Sequence, residues 1–338
     1  MKNKLFIITN ESIYKKDSKN FLCDNIDLKS IPEELDNFCE INIIARSSNK
    51  LRSKTIEVEN INVFRSIFSY LYFIFQSFKD NEVKYLIISL SPYTFLANIL
   101  LKLFSKKHYI YLRSDGYEEY KKILGNFGKL IYHVIFKLSI LKAELIACRK
   151  HLLSNNKGNI VNPSQLNNNW FKNLKNINPS ETKLLYVGRL RVEKGIFSLI
   201  NILKKSNFSL TIVTSEVDAK LKEKNDKIKL ISFENYNDSI IKFYDEHSIF
   251  ILPSYTEAHP QVLDEALARL RPVIVFKEIE HVNRDREGIF ISERNLKSLE
   301  KTIFYINNNY ENIVDRIKLN SLPTKKSFIN ELKKIIFV

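Results

Sequence analysis

Short apolar runs alternate with longer amphipathic stretches along the first half of the chain. The runs predict strands at Leu5–Thr9, Glu40–Ala45, Lys54–Glu57, Tyr85–Ser89, His108–Leu112 and Glu144–Ala147. Apolar residues spaced three and four apart predict helices at Phe64–Phe78, Pro92–Leu103, Asn126–Leu141 and, more briefly, Arg149–Leu153. Continuous apolar strands separated by such helices indicate a parallel sheet covered on both faces.

The same alternation begins again in the second half of the chain. Strands are predicted at Lys183–Val187, Ser209–Thr214, Ile228–Ile231, Ser248–Leu252, Pro272–Phe276 and Gly288–Ile291. Helices are predicted at Ile196–Lys204, Asn237–Glu246, Gln261–Leu270, Leu296–Asn307 and Lys326–Ile336. The second half therefore predicts a parallel sheet of its own.

A polar, asparagine-rich stretch between the two halves has no strand or helix periodicity and is the best linker candidate. We predict an N-terminal Rossmann-like domain over 1–165, a linker over 166–182 and a C-terminal Rossmann-like domain over 183–322. The last helix, within 323–338, is expected to cross back to the first domain. Two such domains would present the carboxyl ends of their strands to a ligand cleft between them.

The composition narrows the class of protein. Three cysteines at wide spacing form no disulfide or metal-binding pattern, which indicates a reducing compartment. The N-terminal apolar run is too short for a signal peptide, and no run of about eighteen apolar residues predicts a membrane span. We therefore expect a cytoplasmic protein.

The net charge of +15 could indicate nucleic acid, an anionic membrane or small anions as ligands. No nucleic-acid-binding module is recognisable and the cations are dispersed, so no nucleic-acid partner is expected. Lys102 to Lys150 contains eleven Lys or Arg against four acidic residues, interleaved with apolar residues. This pattern suits peripheral binding to the inner face of an anionic membrane, or else an ordinary solvated helix.

A first charged cluster follows the strand Lys183–Val187. Gly188 allows a tight turn there, and Arg189 and Lys194 could share the two phosphates of a diphosphate. The alternative is a loop with ordinary surface cations.

A second cluster follows the strand Ser248–Leu252. Glu257 lies in a loop and Glu265 on the next helix, so both carboxylates could face one ligand. Free N–H groups from Ala258 to Gln261 would favour an anion. The alternative is two glutamates that merely cap and solvate a helix. The six histidines lie apart and no Asp-x-Asp occurs, so no catalytic metal is expected.

Taken together, these clusters resemble the retaining glycosyltransferases of the GT-B fold, family 4. The resemblance rests on Gly188-Arg189, Glu193-Lys194-Gly195, Pro253-Ser254, the Glu257-x7-Glu265 pair, Glu265-Ala266-Leu267-Ala268 and Pro272-Val273. It spans essentially the whole chain and is most specific over 184–291. Ala143–Cys148 and Ile160–Pro163 are similar to segments of the family's first domain.

The resemblance implies an α/β GT-B fold with two facing Rossmann-like domains, of which 1–165 would be the acceptor-side domain and 183–322 the nucleotide-sugar-binding domain. It also implies roles for individual residues. Arg189, Lys194 and Gly188 would bind the donor diphosphate, and Glu265 the ribose. The sugar would contact Glu257, Ala258, His259 and Gln261, with Glu257 and Asp115 as the catalytic residues. Asp115, before a glycine, is also an ordinary turn signal, and His259 could instead fill a slot for an aromatic ring.

Four segments depart from the family pattern. One is Arg113-Ser114-Asp115-Gly116, where the family usually has His-Gly or His-Asp at the end of the strand. The loop expected after the first strand, Thr9–Ile13, lacks the usual glycines. Ala258-His259 replaces Gly-Phe, and Leu270 stands where a glycine normally ends the helix. A leucine is expected to avoid the left-handed conformation there.

The sequence thus predicts a metal-independent, retaining glycosyltransferase without a cofactor. It would use a UDP- or GDP-type nucleotide-sugar and a glycan or lipid-linked acceptor in surface polysaccharide or lipopolysaccharide synthesis. Two alternatives remain, a nucleotide-sugar epimerase on the same fold and a catalytically silent partner subunit.

Overall fold

In the computed structural model, residues 3–80, 82–177, 181–214, 227–232, 240–284 and 286–337 are described. The strands are β1 Lys4–Lys15, β2 Phe21–Cys23, β3 Glu40–Ser48, β4 Lys54–Ile56, β5 Asn60–Phe64, β6 Lys84–Ile88, β7 His108–Leu112, β8 Glu144–Ala147, β9 Asn159–Ile160, β10 Lys183–Val187, β11 Ser209–Thr214, β12 Ile228–Ser232, β13 Ile249–Leu252, β14 Val273–Phe276 and β15 Ile289–Ser292. The helices are α1 Ile26–Asp36, α2 Ile67–Gln76, α3 Pro92–Leu103, α4 Gly116–Ser139, α5 Ile196–Leu203, α6 Ile241–Glu246, α7 Gln261–Ala268, α8 Leu296–Asn308, α9 Tyr310–Ile317 and α10 Lys325–Phe337.

The chain divides into two compact units. Unit 1 comprises Met1–Asn162 and Ser327–Val338, and unit 2 comprises Pro163–Lys326. Most of α10 therefore belongs to unit 1, where Phe328, Leu332 and Ile336 are buried in its core.

The sheet of unit 1 is parallel in the order β5-β3-β1-β6-β7-β8-β9. The short strands β2 and β4 extend it antiparallel from the end of β1, so the prediction of a wholly parallel sheet was wrong there. The prediction that the first strand ends at Thr9 was also wrong. β1 continues to Lys15 across a register shift between Ile8 and Ser12, and the end of the expected loop, Ser12 and Ile13, pairs with Arg46 and Ser47 of β3.

Helix α1 was missed, and two helical predictions of unit 1 needed correction. The predicted helix Phe64–Phe78 begins too early, because Phe64 is the last residue of β5 and α2 begins only at Ile67. The predicted helix Asn126–Leu141 is the second part of the longer α4. Gly125, at φ 64°, interrupts α4 with a conformation that favours glycine.

Unit 2 contains a parallel sheet in the order β12-β11-β10-β13-β14-β15. Its core includes Leu166 and Trp170, which lie in the stretch predicted as a linker. Two buried arginines hold this stretch in place: Arg269 donates to the carbonyls of Trp170, Lys172 and Asn173, and Arg271 to that of Lys175. Residues 170–175 are therefore part of the packed unit.

Two helical predictions of unit 2 differ from the structure or fall partly outside it. Helix α9 was not predicted, and the start of the predicted helix Asn237–Glu246 lies outside the described residues.

The end of helix α7 contradicts the expectation for Leu270. This residue is left-handed at φ 60°, in the position that glycine usually occupies after a helix. The Arg271 N–H donates to the Ala266 carbonyl at 2.9 Å and the Leu270 N–H to Leu267 at 2.9 Å. Burial of Leu270 between the two fixed arginines offsets the conformational cost.

Candidate functional site

The two charged clusters of unit 2 follow the carboxyl ends of two central strands of its sheet. Strands β10 and β13 pair in parallel, with Leu184 opposite Ile249 and Leu185 opposite Phe250. The loops that follow them, 188–195 and 253–260, therefore leave the sheet side by side. The Tyr255 N–H donates to the Glu193 carbonyl at 2.9 Å and joins the two loops directly.

Lys194 and Glu257 form the centre of the candidate site. The Lys194 Nζ lies 2.6 Å from Glu257 Oε1, and the Ser254 hydroxyl donates to the same oxygen at 2.6 Å. The Glu257 side chain is 9% exposed and that of Lys194 is 22% exposed. A charge-assisted hydrogen bond at such a partly buried position holds both side chains in place, because little water screens the two charges.

Gly195 makes this approach possible. It is left-handed at φ 66° and directly follows a short helical turn, Val192–Lys194. A Cβ at this position would overlap the carbonyl oxygen of Pro253. Any other residue would therefore push apart the loops that bring Lys194 to Glu257.

Arg294, which the sequence analysis missed, clamps the loop of Glu257. Its guanidinium lies over the rings of Tyr255 and Phe276, at 4.0 and 4.4 Å from their centroids. It also donates to the carbonyls of Pro253 at 2.9 Å and Ser254 at 3.2 Å, and its Nε to Glu278 at 2.6 Å. The planar guanidinium of Arg294 thus fixes the loop that contains Ser254, and Ser254 in turn orients Glu257.

Gly188 and Arg189, which were predicted to bind the diphosphate, directly follow strand β10. Arg189 is exposed, and within the described part of the chain no ion pair is formed by its guanidinium. Its carbonyl accepts a hydrogen bond from the Tyr186 hydroxyl at 2.8 Å, and a Cβ on Gly188 would lie 2.7 Å from that hydroxyl. The Tyr186 side chain thus occupies the space beside Gly188.

Glu265 is buried on helix α7, with 5% of its surface exposed. Its Oε2 accepts a hydrogen bond from the Tyr244 hydroxyl at 2.7 Å. Burial raises the pKa of Glu265 to about 7, and the Tyr244 hydrogen bond opposes that rise. The carboxyl group is thus poised to change protonation near neutral pH.

His259 points into a buried charged cluster. Its side chain is only 4% exposed, with Nε2 3.4 Å from an Asp264 carboxylate oxygen. Its Nδ1 lies 2.9 Å from the Arg284 guanidinium, which can only donate, so the ring proton is assigned to Nε2. Asp264 is also paired with Arg286. The sequence analysis missed all three charged partners: Asp264 lies on α7 close to His259, whereas Arg284 and Arg286 come from a turn that is distant in sequence.

The remaining predicted site residues belong partly to unit 2 and partly to unit 1. Ala258 and Gln261 are half-buried, the latter at the start of α7. Asp115 belongs to unit 1, where its Oδ1 accepts from the backbone N–H groups of Tyr117 at 2.9 Å and Glu118 at 3.2 Å. It thereby caps the N-terminus of α4. Across the described ranges, no group of three or more His, Cys, Asp or Glu is placed to hold a metal ion.

Comparison with known proteins identifies a family match within unit 2 and similar folds over the whole chain. Residues 169–320 match the family described as Glycosyl transferases group 1. No protein of curated function matches the sequence.

Similar solved structures extend over both units. A sucrose-phosphate synthase from Thermosynechococcus elongatus is 13% identical, with a TM-score of 0.68 and 98% of each chain covered. HepE of Anabaena, solved in complex with UDP, is 11% identical with a TM-score of 0.68, over 98% of this chain and 99% of that one. A UDP-GlcNAc 2-epimerase from Methanocaldococcus jannaschii is 13% identical with a TM-score of 0.55, over 99% and 100%. The chain therefore has the GT-B fold, with two Rossmann-like parallel-sheet domains.

Proposed function

We propose that this chain is a retaining glycosyltransferase of family 4 that transfers a sugar from a UDP- or GDP-sugar to a glycan or lipid-linked acceptor. The observation that supports this most is the Lys194–Glu257 pair, held between the ends of β10 and β13. It combines a cation for phosphate with a carboxylate for sugar hydroxyls. The group 1 glycosyltransferase match over residues 169–320 includes both residues.

Lys194 can serve both parts of the donor at once. An ammonium group has three N–H donors, and its bond to Glu257 uses one of them. The other two N–H donors are available to the diphosphate. Arg189, beside Gly188, would also donate hydrogen bonds to the diphosphate from its guanidinium group. The departing nucleoside diphosphate is then stabilised by fixed cations in place of a metal ion.

Glu257 would accept hydrogen bonds from the hydroxyls of the transferred sugar, with Ala258 and Gln261 beside it. His259 was expected to touch the sugar. Since its ring lies between Asp264 and Arg284, we assign it the task of fixing the loop instead.

Glu265 would accept hydrogen bonds from the ribose hydroxyls. Its Oε2 is already held by Tyr244, which leaves Oε1 for the ribose. A carboxylate pairs better with two hydroxyl donors than the neutral acid does, so nucleotide binding would favour the charged form.

Asp115 would orient the acceptor hydroxyl. Both of its capping hydrogen bonds use Oδ1, so Oδ2 can still accept a hydrogen bond from the acceptor hydroxyl. Among the residues that the structure describes, no protein nucleophile is evident, so retention would follow from front-face attack in which the leaving phosphate takes the acceptor's proton. The reaction is assigned to surface polysaccharide or lipopolysaccharide synthesis, in the cytoplasm at the inner face of the membrane.

The direct test is acceptor-dependent release of nucleoside diphosphate, with the anomeric configuration of the product read by NMR. The proposal expects retention, and turnover that persists in EDTA. Loss of turnover in EDTA that Mg²⁺ or Mn²⁺ restores would overturn the metal-independent mechanism, and an inverted product would overturn the retaining one.

An epimerase is the second candidate, because a UDP-GlcNAc 2-epimerase has the same fold. It would convert the nucleotide-sugar without an acceptor, which NMR of the donor alone detects. A catalytically silent subunit is the third, since β1 runs through the segment where the family's glycine loop was expected. It would bind the donor and convert nothing with any acceptor.

A further inference from the structure

Helix α4 of unit 1 is apolar on two opposite faces. One face packs into the unit, where Tyr132, Phe136 and Ser139 are buried. The other forms what we call the apolar stripe. It consists of the exposed residues Ile123, Leu124, Phe127, Leu130, Val134 and Leu138. Steps of three and four along the helix place Phe127, Leu130, Val134 and Leu138 on one side. Phe127 is 67% and Leu130 59% exposed, which is unusual for neighbouring large apolar side chains.

The neighbouring helices extend this surface. On α2, Phe68, Tyr72 and Phe75 are exposed at the same helical spacing. Phe75 contacts Phe104, just after α3, at 5.2 Å between ring centroids. The Lys102 Nζ of α3 donates to the Leu138 carbonyl of α4 at 3.3 Å. Helices α2, α3 and α4 thus present exposed apolar groups side by side.

Within the stretch that carries the stripe the charges have one sign, and the two acidic residues of α4, Glu118 and Glu119, lie before it in the first turn. Residues 121–142 contain five lysines and no Asp or Glu, and all five lysines are exposed, namely Lys121, Lys122, Lys129, Lys137 and Lys142. We call them the lysine rim. Apolar groups bordered by cations match the boundary between anionic headgroups and acyl chains. Two copies of this face would instead bring the two lysine rims close together, which like-charge repulsion disfavours.

We propose that the apolar stripe and lysine rim dock unit 1 on an anionic lipid bilayer. The stripe enters the acyl boundary, and the rim contacts the headgroups. No helix among the described residues is long and apolar enough to cross a membrane, so this contact is peripheral. The proposed lipid contact uses residues of unit 1 and not the donor site of unit 2, so it can be tested separately from the proposed reaction.

The experiment is co-sedimentation of the full chain with vesicles of phosphatidylglycerol and phosphatidylcholine in equal parts, and with phosphatidylcholine alone. Binding is expected with the anionic vesicles only, and it should weaken as salt rises because the lysine contribution is screened. Absence of binding to anionic vesicles at low salt would overturn the proposal. Equal binding to both vesicles would overturn the role of the lysine rim.

Two matched pairs of variants locate the surface. Ile123, Phe127 and Leu130 are changed to Ser, with Phe304, Tyr305 and Leu319 of unit 2 changed to Ser as the control. Lys121, Lys122 and Lys129 are changed to Glu, with Lys297, Lys301 and Lys318 of unit 2 as the control. All of these residues are exposed, so the fold should survive the changes.

Each unit 1 variant is expected to lose about tenfold or more in partitioning onto the vesicles. The unit 2 controls should partition like the wild type, and nucleotide binding should be unchanged in all four variants. Equal losses in the controls would overturn the assignment of the surface. A wild-type dimer in light scattering that the Ser variant of the stripe abolishes would assign the face to a second copy and overturn the lipid contact.

Discussion

The Lys194 Nζ and Glu257 Oε1 lie 2.6 Å apart although 63 residues separate them in the sequence. Gly195 allows the first loop to approach Pro253, and Ser254 holds the same oxygen of Glu257 from the second loop. A cation and a carboxylate brought together in this way suit a ligand that contains both phosphate and hydroxyl groups. This relationship connects the fold of unit 2 to the proposed donor site.

Removing either cation should weaken nucleoside-diphosphate binding. Lys194→Ala and Arg189→Ala each delete a charge-assisted contact of about 1.5–3 kcal/mol, so the Kd for UDP or GDP should rise roughly 10- to 100-fold. Isothermal titration calorimetry measures this directly. Arg316→Ala is the control, because Arg316 pairs with Glu287 on the surface of the same unit. An unchanged Kd in either cation variant would remove that residue from the site.

Glu265→Gln should stabilise the protein while weakening nucleotide binding. Burial raises the pKa of Glu265 from 4.5 to about 7, so between these values the folded state holds a proton that the unfolded state has lost. Stability therefore falls as pH rises through this window, and the variant lacks this fall. Thermal unfolding from pH 5 to pH 8, in the absence and presence of nucleotide, tests both effects. A wild-type Tm with no greater pH dependence than that of the variant would contradict the assignment.

Arg294→Lys should reduce transfer although it keeps the charge. Lysine loses the planar fork that stacks between Tyr255 and Phe276 and bonds the carbonyls of Pro253 and Ser254. The loop that orients Glu257 is then less fixed, and kcat/KM should fall roughly tenfold. Steady-state kinetics should show the loss mainly in kcat, while nucleotide Kd stays close to wild type. Wild-type kinetics in Arg294→Lys would contradict a positioning role.

Arg269→Ala should strongly destabilise unit 2. It leaves buried Asp245 with only the longer ion pair to Arg271, at 3.8 Å, and removes the donors for three carbonyls of residues 170–173. Breaking a buried pair from one side costs about 3–5 kcal/mol. Urea unfolding, with Arg316→Ala as the exposed control, measures the difference in the free energy of unfolding. A loss no larger than that of the control would mean that the linker stretch does not depend on this arginine.

Parallel strands were the most predictable part of the fold. The predictions His108–Leu112, Glu144–Ala147, Lys183–Val187 and Ser209–Thr214 agree with β7, β8, β10 and β11, because a strand buried on both faces is a continuous apolar run. Strand β2 escaped prediction, and β4, predicted as Lys54–Glu57, was wrongly expected in a parallel sheet. Each has only three residues, and its pairing depends on the distant end of β1. Leu270 was mispredicted because tertiary packing overrides its local preference.

The candidate site was predictable only in part. Its spacing pointed to Lys194, Glu257 and Glu265, whose charged side chains follow buried strands or lie on the next helix. Arg294 gave no local signal, because its partners Pro253 and Ser254 lie about forty residues away in sequence. The buried position of His259 likewise depends on Asp264 and on the turn that contains Arg284. A linear pattern shows which residues follow a strand, and the packing of distant segments decides which of them meet.

The most direct test of the donor site is a thermal-shift screen of UDP- and GDP-sugars on the wild type, Lys194→Ala and Glu265→Gln. One or two nucleotide-sugars should raise the wild-type Tm, because a ligand that binds only the folded state stabilises it. Each variant should reduce that shift, and single-stranded RNA should produce none. A panel in which no nucleotide-sugar shifts the wild type, or in which both variants respond as the wild type does, would contradict the account.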